Sequence, residues 1–108
     1  DRKILIVVAT EFGRTPRIRT GPPDNSIGRD HWPDAYCNLI SGGGLRMGQV
    51  IGATDARAAY VTESPVTPND VLATIYRHLA IDWHHTLHDT TGRPIPLLAE
   101  GTPVRQLG

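Results

Sequence analysis

Hydrophobic positions fall along this chain in short blocks separated by long polar stretches. The first block, Lys3 to Ala9 (KILIVVA), is continuous rather than alternating and rich in β-branched residues. A short unbroken run of this kind predicts a strand over 3–9 that is covered on both faces, as in a parallel sheet. Residues 10–34 hold no sustained period and contain Pro16, Pro22, Pro23 and Pro33, which predicts a long loop. Loops of that length inside a compact domain are usually functional or disordered. Residues 35–41 (AYCNLIS) predict a second strand, ended by Gly42-Gly43-Gly44. Residues 49–53 (QVIGA) predict a third, and 59–62 (AYVT) a short fourth.

The best-defined element is a helix over 68–80. Thr67 suits the N-cap, where its hydroxyl accepts from an unpaired first-turn amide, and Pro68 suits the first helical position. Asp70 completes a capping-box pattern and places negative charge at the positive end of the helix. Val71, Leu72, Ile75, Tyr76 and Leu79 recur at helical spacing and predict the packed face. Beyond Asp82, Gly92, Pro94, Pro96, Gly101 and Pro103 interrupt every period, so 82–108 reads as an irregular tail with room for only a short strand or turn. Strands followed by a helix predict an α/β layered fold. One helix is too little to cover a parallel sheet on both faces, so residues 1–108 read as part of a longer domain.

Composition narrows the picture. Gly (11) and Pro (9) put much of the chain in turns. Lys+Arg and Asp+Glu are each 11, and zero net charge gives no general argument for nucleic acid. Locally the balance breaks: Arg14, Arg17, Arg19 and Arg29 stand in a stretch whose only acid is Asp24. A single cysteine, Cys37, excludes an internal disulfide and a Cys-based zinc site. No run approaches the ~18 apolar residues of a membrane span.

Candidate chemistry lies where the first strand ends, since ligands of open α/β sheets gather at the carboxyl ends of strands. Glu11 stands there as a possible metal ligand or base; the plainer reading pairs it with Arg14 or Arg17. His31, in Gly28-Arg29-Asp30-His31-Trp32-Pro33, is a candidate ligand with Asp30 beside it to orient the ring or to bind as well; the plainer reading is a loop histidine against Trp32. Arg14 and Arg29 carry forked donors that match phosphate, sulfate or carboxylate oxygens; alternatively they brace the loop through backbone carbonyls or aspartates. Gly42–Gly48 lacks the order of a nucleotide-binding loop and reads as a turn. His84, His85 and His88 lie on no regular element, and Cys37 reads as a packing residue.

Five ordered segments, "EFGRTPRI", "GRDHWP", "GGGLRMGQVIGATD", "PVTPNDVLATIYRHLAID" and "GRPIPLL", resemble the C-terminal part of the bacterial "domain of unknown function 1501" family, which is similar in fold to sulfatases and alkaline phosphatases. The resemblance runs from about Ile6 to Leu107. It implies the C-terminal portion of a three-layer αβα sandwich, a remaining N-terminal part of the same domain as partner, and an exported protein, periplasmic or extracellular. It implies a metal-dependent hydrolase of phosphate or sulfate esters, acting on a small anionic ester or a sulfated or phosphorylated glycan, with its nucleophile outside this chain.

Carried over residue by residue, the resemblance places His31 where a later histidine ligand is expected. Glu11 and Phe12 stand where an Asp-His pair would be. Phe12 cannot bind a metal, so the resemblance implies one divalent site (zinc, calcium or manganese) rather than two. Glu11, His31 and Asp30 would be its ligands, and Arg14 and Arg29 would hold the anion. The alternative is a catalytically inactive module of the same fold that binds an anionic ligand, a glycan or a protein.

Overall fold

A computed structural model describes residues 3–22 and 26–108; Pro23 and Asp24, on which the loop reading drew, lie outside them. In chain order the elements are β1 (Leu5–Val8), β2 (Gly13–Arg14), β3 (His31–Trp32), β4 (Leu39–Gly42), β5 (Ala53–Thr54), β6 (Val61–Glu63), α1 (Pro68–His78), β7 (Thr86–His88), β8 (Pro94–Pro96) and a 3-10 turn at Arg105–Leu107. Among the described residues the strands pair two by two, β1 with β4, β2 with β3, β5 with β6 and β7 with β8. The content is mixed α/β.

Several expectations are corrected. The first run alternates: Leu5 and Val7 are half-buried, while Ile6 and Val8 are 54% and 58% exposed, because among the described residues no layer covers that face of the strand. The second strand begins at Leu39 and leaves Cys37 exposed ahead of it. Residues 49–52 are not a strand. Gly48 and Gly52 both hold positive φ, Gln49 turns its amide onto the carbonyls of Arg46 and Gln106, and Val50 is 94% exposed. The tail holds two short strands where at most one was expected, for β7 and β8 form an antiparallel hairpin with Leu87 opposite Ile95. Its prolines are tolerated because the cross-strand bonds next to them run through Arg93, whose carbonyl accepts from Asp89, and Leu97, whose amide donates to His85. Pro94 and Pro96 alternate with these residues and give up no ladder bond.

The chain divides into two compact units. One holds residues 3–5, 41–49 and 66–108 and is built on α1. Thr67 Oγ1 accepts from the Asp70 amide at 3.2 Å, and Asp70 Oδ2 accepts from the Thr67 amide at 2.8 Å, so the capping box forms. The other Asp70 oxygen accepts from the Thr102 amide at 2.8 Å. Partial burial pushes the Asp70 carboxyl up, but the donors of Thr102 and Thr67 outweigh it and hold it below its ordinary value.

The buried side of α1 is Val71, Ala73 and Thr74, joined by Val104 and Leu107 from the last segment; Leu72 and Leu79 of the expected face stay exposed. The Thr74 hydroxyl donates to Asp70 O and accepts from the Val104 amide, which satisfies it in the core. Gly101 passes so close to α1 that a Cβ would stand 2.6 Å from Asn69 O. His78 is half-buried, and a Cβ on Gly43 would stand 3.2 Å from its ring.

The other unit holds residues 6–40 and 50–65 and carries the candidate site. Trp32 anchors it: its indole N–H donates to Ala59 O at 2.6 Å, and its ring meets Tyr60 edge-on at 5.6 Å. Asp55 Oδ1 shapes the loop that presents Ala59 by accepting from the amides of Arg57 and Ala59.

A candidate anion site on an arginine ribbon

The stretch after β1 is a two-stranded ribbon rather than an open loop. β2 and β3 run antiparallel with Gly13 opposite Trp32 and Arg14 opposite His31. Pairing continues as the Thr15 amide donates to Asp30 O at 2.9 Å and the Asp30 amide to Thr15 Oγ1 at 3.0 Å. Farther out, Arg19 and Gly28 exchange both backbone bonds. Between these rungs, residues 16–18 face the single residue Arg29, a bulge that begins at Pro16, which has no amide to donate. Gly13 is required at the base, since a Cβ there would stand 2.1 Å from Ala35 O.

The bulge sets the arginines. Arg14 Nη1 donates to Arg29 O at 3.3 Å. Arg29 Nε donates to Thr15 O at 2.6 Å, and its Nη2 to Arg14 O at 3.3 Å. Each side chain therefore crosses the ribbon to the other strand's backbone, and neither meets a carboxylate among the described residues. The acceptors are neutral, so among the described residues both charges stay uncompensated, and most of each donor fork is unused. Arg19 differs: its Nε lies 3.4 Å from Asp30 Oδ1 and its Nη2 donates to Ser26 Oγ. Sequence reasoning missed Thr15, whose hydroxyl ties Asp30 to Arg17 by accepting from one amide and donating to the other's carbonyl.

Arg14 and His31 are directly opposed, which puts them on one face of the ribbon. Phe12 joins them: its ring lies 4.0 Å from the His31 ring at 31°, and Arg14 Cζ lies 5.8 Å from its centre. His31 is thus stacked on Phe12 and not on Trp32. Glu11 is exposed, and among the described residues it forms no ion pair with Arg14 or Arg17.

Glu11, Asp30 and His31 do not make up a metal ligand set by themselves. Asp30 is engaged by Arg19, Phe12 covers His31, and among the described residues no group of three His, Cys, Asp or Glu stands ready for an ion. The later histidines form no such group either; His84 turns back to Asp82 Oδ1 at 3.2 Å.

A mixed α/β chain with a basic ribbon is the class that the fold and this geometry define, and among the described residues no helix is long and apolar enough to cross a membrane. The chain belongs to the family described as "Protein of unknown function (DUF1501)", whose sequence model matches residues 2–107. No curated protein and no solved structure matches it.

Proposed function

We propose that this ribbon holds the anionic group of a phosphate or sulfate ester, and that the protein is a sulfatase-like hydrolase of such esters. One observation carries the reading: the hydrogen bonds of Arg14 and Arg29 go to carbonyls, and among the described residues their charge meets no carboxylate and most of their donors are unspent. In water two like charges at close range cost only about 1 kcal/mol. An oxyanion placed between them would gain charge-assisted bonds worth roughly 1.5–3 kcal/mol each.

In this reading the chain is the C-terminal part of an αβα sandwich of the alkaline-phosphatase kind, exported from the cell. The apolar side of β1 left open at Ile6 and Val8 favours that view, because an N-terminal part of the same domain would cover it. A divalent metal would act in such an enzyme as a charge-neutralising Lewis acid. Among the described residues no group of three His, Cys, Asp or Glu is placed to hold one.

A second reading, an inactive module that binds a sulfated or phosphorylated glycan or a protein, is favoured by Phe12 covering His31. Assaying the intact protein against a panel of aryl and sugar phosphate and sulfate esters, with metal analysis of the same sample, separates the two. The hydrolase reading expects turnover that falls ~10²-fold in Arg14→Ala or Arg29→Ala. Binding of the same esters without turnover would replace it with the second reading.

A further inference from the structure

The β7–β8 hairpin, in the unit built on α1, has one edge that can take another strand. Its own ladder runs through odd-numbered residues. The Leu97 amide donates to His85 O at 2.8 Å, the Asp89 amide donates to Arg93 O at 3.0 Å, and Leu87 faces Ile95 between them. In an antiparallel pair the alternate residues turn their amides and carbonyls away from the partner strand. On β8 those residues are Pro94 and Pro96, which have no amide to give, so that edge is closed. On β7 they are Thr86 and His88. Both are exposed. Among the described residues β7 pairs with β8 alone, and no backbone bond from outside the hairpin reaches either residue. An exposed edge with unpaired amides and carbonyls is a template for a further strand.

We propose that β7 pairs antiparallel with β7 of a second copy of this chain, about a two-fold axis at Leu87. Register decides the occupant. With Leu87 opposite itself, Thr86 falls opposite His88 of the second copy, and the outward groups of both residues on both copies engage in four backbone bonds. Centring the axis on Thr86 would set His88 against His84, whose amide is already held by Asp82 Oδ1 at 3.0 Å. Centring it on His88 would set Thr86 against Thr90, in the turn of the hairpin. The side chains agree with the Leu87 register. The one residue that meets its own copy is apolar: Leu87 is 53% exposed, with Ile95 beside it at 43%, and pairing lines up both residues of both copies in one row. On the same face His85 falls opposite Asp89 of the second copy, an imidazole against a carboxylate. From His84 to Asp89 no ionisable residue meets its own kind. The contact is isologous and closes at two copies, because the prolines of β8 stop further addition. It is also short, so the dimer dissociates on dilution.

The test measures the mass of the intact protein by light scattering over a dilution series, in the parent and in His88→Pro. Two further variants, Leu87→Cys and Thr86→Cys in a Cys37→Ser background, are oxidised with molecular oxygen and a copper catalyst. The expected result is a parent whose mass doubles as concentration rises. His88→Pro removes one amide on each copy, two of the four bonds, and should weaken the dimer about tenfold or more. Leu87→Cys should give a disulfide-linked dimer, since facing residues that exchange no backbone bond stand ~4.5 Å apart at Cα, within disulfide reach. Thr86→Cys should not, because its side chain lies on the other face and opposite His88. A parent that stays monomeric at every concentration, a dimer equally stable in the parent and His88→Pro, or Thr86→Cys linking as readily as Leu87→Cys overturns the pairing. A monomer whose His88 amide is protected from hydrogen exchange overturns it in favour of another strand of the same chain.

Discussion

At the residue scale, individual backbone positions decide what the sequence permits. Ala80 lies just past α1 with φ 56°, in the left-handed region that an L side chain disfavours. Two bonds hold it there, Ile81 N to Tyr76 O and Ala80 N to Arg77 O, the pairing that closes a helix through a left-handed residue. Ala80→Gly should therefore raise stability by about 0.5–1 kcal/mol, seen as a higher denaturant midpoint at unchanged slope; a lower midpoint would show that the end of the helix is held some other way. Glycine is the residue usually found here, and without that signal the sequence places the end of the helix at residue 80, two residues past its end at His78. Arg14 and Arg29 show a different limit on reading. Their side-chain chemistry was plain, but that each would bond the other's backbone depends on the bulge opposite Arg29, which no local pattern announces.

At the element scale, α1 was the most legible piece, because Thr67, Pro68 and Asp70 act on neighbours in sequence. Its buried face was less so. The tail contributes Val104 and Leu107 to the core and selects Ala73 and Thr74, which spacing alone did not single out. The β7–β8 hairpin was hidden for a related reason: prolines discourage a strand assignment unless the bonding positions of the partner are known. Asp70 links these elements by capping α1 and holding Thr102. Its carboxyl titrates below the ordinary 3.8 when folded, so the unfolded chain binds that proton more readily. The stabilisation is complete above the ordinary value and is lost as pH falls through the lowered one. Asp70→Ala should cost about 1 kcal/mol near neutral pH, and the variant and the parent should converge in acid. Urea denaturation from pH 7 to pH 2 checks this; parallel curves would mean the carboxylate does not couple helix and tail.

At the scale of the whole molecule, the strands were legible as blocks and not as a sheet. The run at 3–9 looked covered on both sides, yet Ile6 and Val8 remain largely exposed. Burial depends on what lies against a strand, and its own residues do not carry that information. The candidate site followed the same rule. Glu11, Asp30 and His31 were legible as chemistry, but as a ligand set they are divided by Arg19 and Phe12, contacts set by ribbon register. What survives at this scale is a basic surface built by crossed arginines, and the proposed function depends on it.

Calorimetric titration of the intact protein with inorganic phosphate and with sulfate, in the parent, in Arg17→Ala and in the Arg14→Ala/Arg29→Ala pair, tests that dependence most directly. The account predicts saturable binding that Arg17→Ala leaves in place and that the paired substitution weakens about tenfold or more. Equal affinity in the parent and the paired variant, or no binding to the parent, would contradict it.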